Sequence, residues 1–191
     1  MMNYAEILQS RIHLPAWAYN LLLVLSASLL IAVSAQFAFQ LPFSPVPVTG
    51  QTLTVLLIGA LLGRNRGSAA VGLYLLEGAS GLPVFAGGKA GLAVLWGPTG
   101  GYLIGFAAAA YLVGWLVEQG WDRNPSTAAG SMILGSGLIY LFGLAWLGTL
   151  IGFQNALPLG LYPFLVGDLV KIILAAGILT GSGALKSRLL T

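Results

Sequence analysis

The sequence has no cysteine and a single histidine, His13, and only 7% of its 191 residues are charged. Without cysteine there is no disulfide and no thiolate metal site, and one imidazole cannot build a histidine cluster. A soluble domain carries roughly 25% charged residues, so a chain this poor in charge cannot cover itself for water. Its eight lysines and arginines are scattered and leave a formal charge of +3. That is no basic patch, and no nucleic-acid partner is expected. What is abundant is apolar: hydrophobic residues make up 58% of the chain and the mean hydropathy is +0.91. Six spans of ~20 residues each use most of the length and leave no room for a second, soluble domain. The chain therefore reads as one integral membrane domain over residues 1–191, all-α, with six transmembrane helices.

The punctuation of the apolar runs places the spans. Residues 1–14 mix Glu6 and Arg11 with Ile7, Leu8, Ile12 and Leu14, the pattern of a short interfacial amphipathic segment. From Trp17 to Phe39 no residue is charged, and at 1.5 Å per residue that run reaches ~34 Å, enough to cross with tilt. A signal peptide cleaved near Val33-Ser34-Ala35 is the rival reading, but the run is too long for its apolar region. Pro42, Pro45 and Pro47 then force an extended loop. Spans follow at about 50–63 and 67–80, parted by Arg64-Asn65-Arg66. A single helix through that triplet would set two arginines in mid-membrane, at ~2.5–3.5 kcal/mol each. Residues 81–101 hold seven glycines with Pro83 and Pro98, a long Gly/Pro-rich loop between helices 3 and 4. The last three spans are expected at 102–117, 127–153 and 163–185. Small residues at four-residue spacing, Gly101/Gly105/Ala109, Gly148/Gly152 and Gly177/Gly181, suit close helix contacts in lipid.

With six spans both termini share one side. Arg11, Arg64, Arg66, Arg123, Lys186 and Arg188 collect there, six of the eight cations, and Lys89 stands alone in the opposite loops. Positive charge favours the cytoplasm, so a plasma-membrane protein with both termini inside is expected, its Gly/Pro-rich loop facing outward.

Catalytic templates fail. Gly88-Lys89 has Pro83 where a P-loop needs its first glycine and Ala90 where it needs a hydroxyl. Gly78-Ala79-Ser80-Gly81 approaches a nucleophile elbow, but Leu82 replaces the closing glycine. Neither metal nor cofactor is expected. What remains is Asp168 and Lys171, three apart and so on one helix face near the outer end of the sixth span. Ionisable residues inside spans are costly and face a partner or a cavity. The pair either neutralises itself to fix packing or reaches an outward cavity to hold a polar ligand. Lys89 is a loop cation or a ligand contact, Gln51 a helix-start residue or a contact, and Trp96 a belt residue or a flat wall of the site. Glu77 is expected to pair with Lys89 or cap a helix end.

Four motifs in order, PVPVTGQTL (45–53), YLLEGASGLPVFAGG (74–88), GPTGGY (97–102) and GDLVK (167–171), resemble the BioY family, the biotin-specific S components of energy-coupling factor (ECF) vitamin transporters. The resemblance spans nearly the whole chain. It implies a six-helix protein with an outward biotin site, assembled with a transmembrane coupling protein and two cytoplasmic ATPase subunits. It implies that Asp168 and Lys171 are the family's acidic and basic pair and that Lys89 matches a polar position of the third loop. It also implies a cation just after the GPTGGY stretch, where this chain has Leu103; Asp168 is then expected to accept from the ureido N–H groups and Lys171 to help hold the biotin carboxylate, with Lys89 assisting or supplying the missing cation. A docking motif of small residues on the first helix is implied too, and Ser28/Ala32 and Ser34/Ala38 are its nearest matches. An ionised Asp only accepts and suits ureido N–H groups, while lysines suit a carboxylate or the ureido carbonyl. The expected function is biotin capture for an ATP-driven importer. The alternatives are an intramembrane transferase or hydrolase using Asp168 or Glu77, and a passive facilitator.

Overall fold

A computed structural model of the chain describes residues 14–190, with side chains over 14–181. The interfacial segment expected at 1–14 lies, Leu14 apart, outside the described residues, as do the side chains of Lys186 and Arg188. The chain is mainly helical. Among the described residues four stretches are long and apolar enough to cross a membrane: Ala16–Gln36, Gly100–Glu118, Pro125–Ile151 and Phe153–Gly181. Gln51–Leu62 is a shorter apolar helix.

Helix α1 covers Ala16–Gln36 and stops short of the expected Phe39. Ala38–Phe39 (β1) instead pairs antiparallel with Val48–Thr49 (β2), with Ala38 opposite Thr49 and Phe39 opposite Val48. The three prolines between them turn the chain back, and Gly50 N–H donates to the Phe37 carbonyl at 3.2 Å to close the loop. An uncharged run does not by itself tell helix from strand. Helices α2 (Gln51–Leu62) and α3 (Arg64–Ala79) are joined by Gly63 alone, whose φ of 82° is open to glycine at no steric cost. The Arg64-Asn65-Arg66 triplet, expected as a separate turn, is thus the first turn of α3. The expected loop at 81–101 contains a turn at Ala86–Gly88 and a short helix α4, Leu92–Trp96. Helix α5 is Gly100–Glu118 and α6 is Pro125–Ile151. A break at Gly152 precedes α7, Phe153–Gly160, where the sequence suggested loop. Helix α8 is Leu165–Leu190.

Helix α5 is the axis of the molecule. It packs most extensively on α6 and also on α2 and α3, and 67% of its most apolar window is buried, against 28–39% for the other three long stretches. Glycine makes this possible. A Cβ on Gly59 would lie 2.5 Å from the Ala110 carbonyl oxygen, and one on Gly114 2.4 Å from the Arg64 nitrogen. Gly101 and Gly105 meet α6 at Trp146, Phe142 and Ile139, and Ala109 is fully buried, as the first small-residue row requires. Of the other two rows only Gly148 is closely packed, where an added Cβ would lie 2.4 Å from the Phe153 ring of α7. Gly152 ends a helix at φ 84°, and Gly152, Gly177 and Gly181 have nothing within 4 Å of an added Cβ. Ser28, Ala32 and Ser34 of the expected docking motif are buried within the chain, so they are internal packing residues and not an exposed docking face.

Polar contacts mark the two ends of the bundle. At one, Arg64 bridges Glu118 at 3.3 Å and Arg66 donates to Asn20 at 2.8 Å, gathering the start of α1, the α2–α3 junction and the end of α5. At the other lie the N-termini of α2, α5 and α8.

The close approach at Gly59 makes a sharp test. Gly59→Ala is expected to lower stability by ~1–3 kcal/mol through overpacking against α5. Gly72→Ala, on α3 with nothing within 4 Å of its added Cβ, is expected to be neutral or to gain up to ~1 kcal/mol from helix propensity. Thermal melts of the detergent-purified proteins read both, and equal shifts would contradict the packing assigned to α5.

Candidate functional site

The N-terminal ends of α2, α5 and α8 surround a cavity, closed from the sides by the 46–49 and 85–94 segments and by α6. It offers about 720 Å³ of space free of protein atoms, its mouth included. Phe85, Phe106, Phe164, Leu103 and Ile139 supply apolar walls, and Gln51, Thr52, Tyr140, Asp168, Lys171 and Lys89 the polar groups. A mostly apolar pocket with a few convergent polar groups is the usual form of a small-molecule site.

Asp168 is in the first turn of α8 and is buried at 7% exposure. Its Oδ1 accepts from Lys171 Nζ at 3.0 Å, and its Oδ2 accepts a short hydrogen bond from the Tyr140 hydroxyl on α6. Lys171 Nζ also donates to Thr52 Oγ1 on α2 at 2.9 Å. The i, i+3 spacing thus brings the two charges together, and Thr52 and Tyr140 tie them to two further helices. A carboxylate has about four acceptor sites and an ammonium three donors. Two sites on Asp168 and one donor on Lys171 are left for a ligand. The packing role and the ligand role weighed for this pair are therefore compatible.

Gln51 opens α2 and also lines the cavity, so it fills both roles weighed for it. Lys89 lines the cavity from the loop and is exposed. Its backbone carbonyl accepts from Phe85 N–H at 3.0 Å, which ties the loop to a fully buried ring. Among the described residues its ammonium has no ion-pair partner. Trp96 does not line the cavity. It ends α4 at 70% exposure, with its ring 5.8 Å from that of Trp146, whose indole N–H donates to the Gly97 carbonyl at 3.0 Å. That anchoring turns α4 so that Trp96 faces outward, which suits the belt position. Glu77 pairs with neither Lys89 nor a helix end. It accepts from Ser28 Oγ at 2.5 Å, away from the cavity.

Sequence reasoning did not single out Tyr140, Thr52 or Tyr102. Tyr140 is the one tyrosine of α6, a polar tip midway along an apolar helix, and that was the available signal. Thr52 follows Gln51 directly and carries no distinguishing mark. Tyr102 was read only as part of a motif, yet its hydroxyl donates to the Gly160 carbonyl at 2.8 Å and its ring stands edge-on to Tyr140 at 6.3 Å. It supports the tyrosine that supports Asp168. Among the described residues no group of three His, Cys, Asp or Glu side chains is arranged to hold a metal.

Comparison with known proteins agrees with this architecture. The chain is 37% identical over 164 residues to the biotin transporter BioY of Rhizobium etli, covering 81% of this chain and 87% of that protein. It is 41% identical over 148 residues to the biotin transporter BioY of Thermotoga maritima, covering 77% and 85%. Its fold matches the crystal structure of the S-component for biotin from an ECF-type ABC transporter with a TM-score of 0.79 and 28% identity, over 87% of this chain and 92% of that one. The BioY family profile matches residues 7–188, and the chain belongs to the BioY family.

Proposed function

We infer that this chain is the biotin-capturing S component of an ATP-driven ECF-type importer. It is a transport subunit and not an enzyme. The observation that carries the reading is the cavity itself. A carboxylate with open acceptor sites, neutralised by its own lysine, stands among apolar walls beside an exposed, uncommitted cation. Biotin has a matching layout: a ureido ring with two N–H donors and a carbonyl, an apolar thioether ring, and an ionised carboxylate at the end of an alkyl chain. In this reading Asp168 accepts a ureido N–H and Gln51 contacts the ureido group. Lys171 pairs with Asp168 at 3.0 Å and orients it. Lys89, which has no ion-pair partner among the described residues, takes the carboxylate at the mouth. The apolar side chain of Leu103 covers the alkyl chain where the family resemblance suggested a cation.

The same reading sets the chain in the plasma membrane with six spans. Helix α2 is too short to cross alone: twelve residues rise ~18 Å against a hydrocarbon core of ~30 Å. The extended segment before it completes the span. Irregular backbone at membrane depth is tolerated where it lines a cavity, and Val46, Pro47 and Thr49 do line it. The end carrying Arg64, Arg66 and Arg123 is cytoplasmic, with both termini, and the cavity opens outward. A transmembrane coupling protein and two cytoplasmic ATPase subunits supply the energy.

Direct binding tests the assignment. The purified chain is expected to bind labelled biotin without converting it. Asp168→Asn keeps the size but turns donors toward donors, and loss of one partner of a buried charged contact typically costs ~2–5 kcal/mol, or roughly 30- to 4,000-fold in affinity. It is expected to weaken biotin and biotin methyl ester alike. Lys89→Ala is expected to weaken the acid far more than the ester, and Lys171→Ala to weaken both. If Lys171→Ala discriminates acid from ester and Lys89→Ala does not, the two lysines exchange roles.

Topology has its own test, because the chain is free of cysteine. With single cysteines, Ala90→Cys is expected to react with an impermeant thiol reagent in intact cells. Asn65→Cys, exposed at the start of α3, is expected to react only after permeabilisation. The reverse pattern would place the cavity on the inside.

A further inference from the structure

Tyr74 does not line the cavity and is fully buried. Its hydroxyl accepts from Gln51 Nε2 at 2.7 Å and donates to the Val84 carbonyl at 3.3 Å. A phenol has one proton, and a backbone carbonyl can only accept. With that proton directed to Val84, the group of Gln51 that meets Tyr74 has to be a donor. In this arrangement the amide NH2 turns to Tyr74 and its Oε1 turns away. Among the described residues no group donates to Gln51 Oε1. Nor is Gln51 Oε1 among the described side-chain atoms that are sealed off from the surface with no partner. Gln51 is only 3% exposed, and the open space it borders is the cavity.

We infer that Tyr74 is a positioning residue that holds the Gln51 amide by its NH2 and so presents Oε1 to the cavity as a neutral acceptor for one ureido N–H, beside the acceptor at Asp168. The inference rests on the biotin reading above. A cyclic urea offers two N–H donors, and two acceptors on different helices take one each. An unanchored amide can turn over and exchange its acceptor for a donor, and such a site would not distinguish N–H from C=O. Tyr74 reaches the loop as well. Its ring stands edge-on to Phe85 at 5.5 Å, and the Phe85 N–H bonds to the Lys89 carbonyl. One ring thus sets the polarity at Gln51 and braces the segment that carries Lys89.

The test is a double-mutant cycle of Tyr74→Phe and Gln51→Met on the purified full chain. It is read with biotin and with the two analogues methylated on one or the other ureido nitrogen. Tyr74→Phe keeps the ring and removes the hydroxyl. It is expected to weaken biotin by roughly 2- to 12-fold, the range of one neutral hydrogen bond. It is also expected to reduce by a similar factor the preference for biotin over the analogue methylated at the nitrogen facing Gln51. In the Gln51→Met background, Tyr74→Phe is expected to cost no further affinity, because the amide it orients is gone. Equal losses in both backgrounds would overturn the positioning role. So would an unchanged affinity in Tyr74→Phe when Gln51→Met weakens binding. Should Tyr74→Phe not fold, the analogues on the wild-type and Gln51→Met proteins still decide. The inference requires Gln51→Met to lose the rejection of one methylated analogue, and it is overturned if both rejection ratios stay unchanged. Unchanged biotin affinity in Gln51→Met would remove Gln51 as a contact and this inference with it, leaving Asp168 in place. Failure of the wild-type chain to bind biotin at all would overturn the biotin reading itself.

Discussion

The ion pair between Asp168 and Lys171 is the interaction around which the site is built. In an apolar medium an unpaired charge is prohibitive and even a pair must have its remaining donors and acceptors satisfied. The chain meets that demand with Tyr140 from α6 and Thr52 from α2. Satisfying the pair therefore requires α2, α6 and α8 to converge at one end of the bundle, and their convergence is what encloses the cavity. The satisfaction is incomplete on the ligand side. A carboxylate and an ammonium each retain capacity that protein groups do not fill, so the electrostatic constraint that shapes the fold also leaves it able to recognise a polar ligand.

Convergence of helix ends needs a rigid axis, and α5 provides it. Its glycines and those facing it bring backbones into contact with no intervening side chains, at Gly59 against Ala110 and Gly114 against Arg64. Lipid chains supply no hydrophobic drive between helices, so such close packing is the main source of cohesion. Tyr102, near the start of α5, then transmits that rigidity to the site by anchoring at Gly160 and bracing Tyr140.

What was legible in the sequence follows from what is costly in a membrane. Asp168, Lys171 and Gln51 stood out because a polar side chain in or at the edge of an apolar span needs a reason, and all three line the cavity. Lys89 stood out as the one cation in the loops expected to face outward, and it lines the cavity too. Residues whose type is at home in a span were not legible. Tyr140, Tyr102 and Tyr74 each look like ordinary aromatic packing until the partner of each hydroxyl is known, and those partners are between 10 and 58 residues away in sequence. Trp96 is the converse case, since an indole suits a belt or a cavity wall equally and only the anchoring of α4 decides. Small residues at four-residue spacing were equally ambiguous. The row on α5 is a packing seam, whereas Gly177 and Gly181 face open space and Ser28 and Ala32 are internal. Spacing shows that a close approach is possible, not that a neighbour is there.

Charge bookkeeping explains why two lysines serve better than one. Asp168 and Lys171 cancel, so the inner part of the empty cavity carries no net charge. The remaining charge, on Lys89, sits at the exposed mouth, where water can solvate the ammonium. A ligand with one carboxylate brings one negative charge, and with Lys89 as its partner the loaded cavity becomes neutral as a whole. Had Lys171 alone served both Asp168 and the ligand carboxylate, the loaded inner site would hold two negative charges against one positive. At an effective dielectric of 20 a like-charge pair 4 Å apart costs ~4 kcal/mol, enough to offset most of what a buried contact contributes. In the proposed assignment a separate cation at the rim offsets that repulsion, leaves the ion pair to orient the ureido group, and favours the ionised ligand over neutral analogues of the same shape.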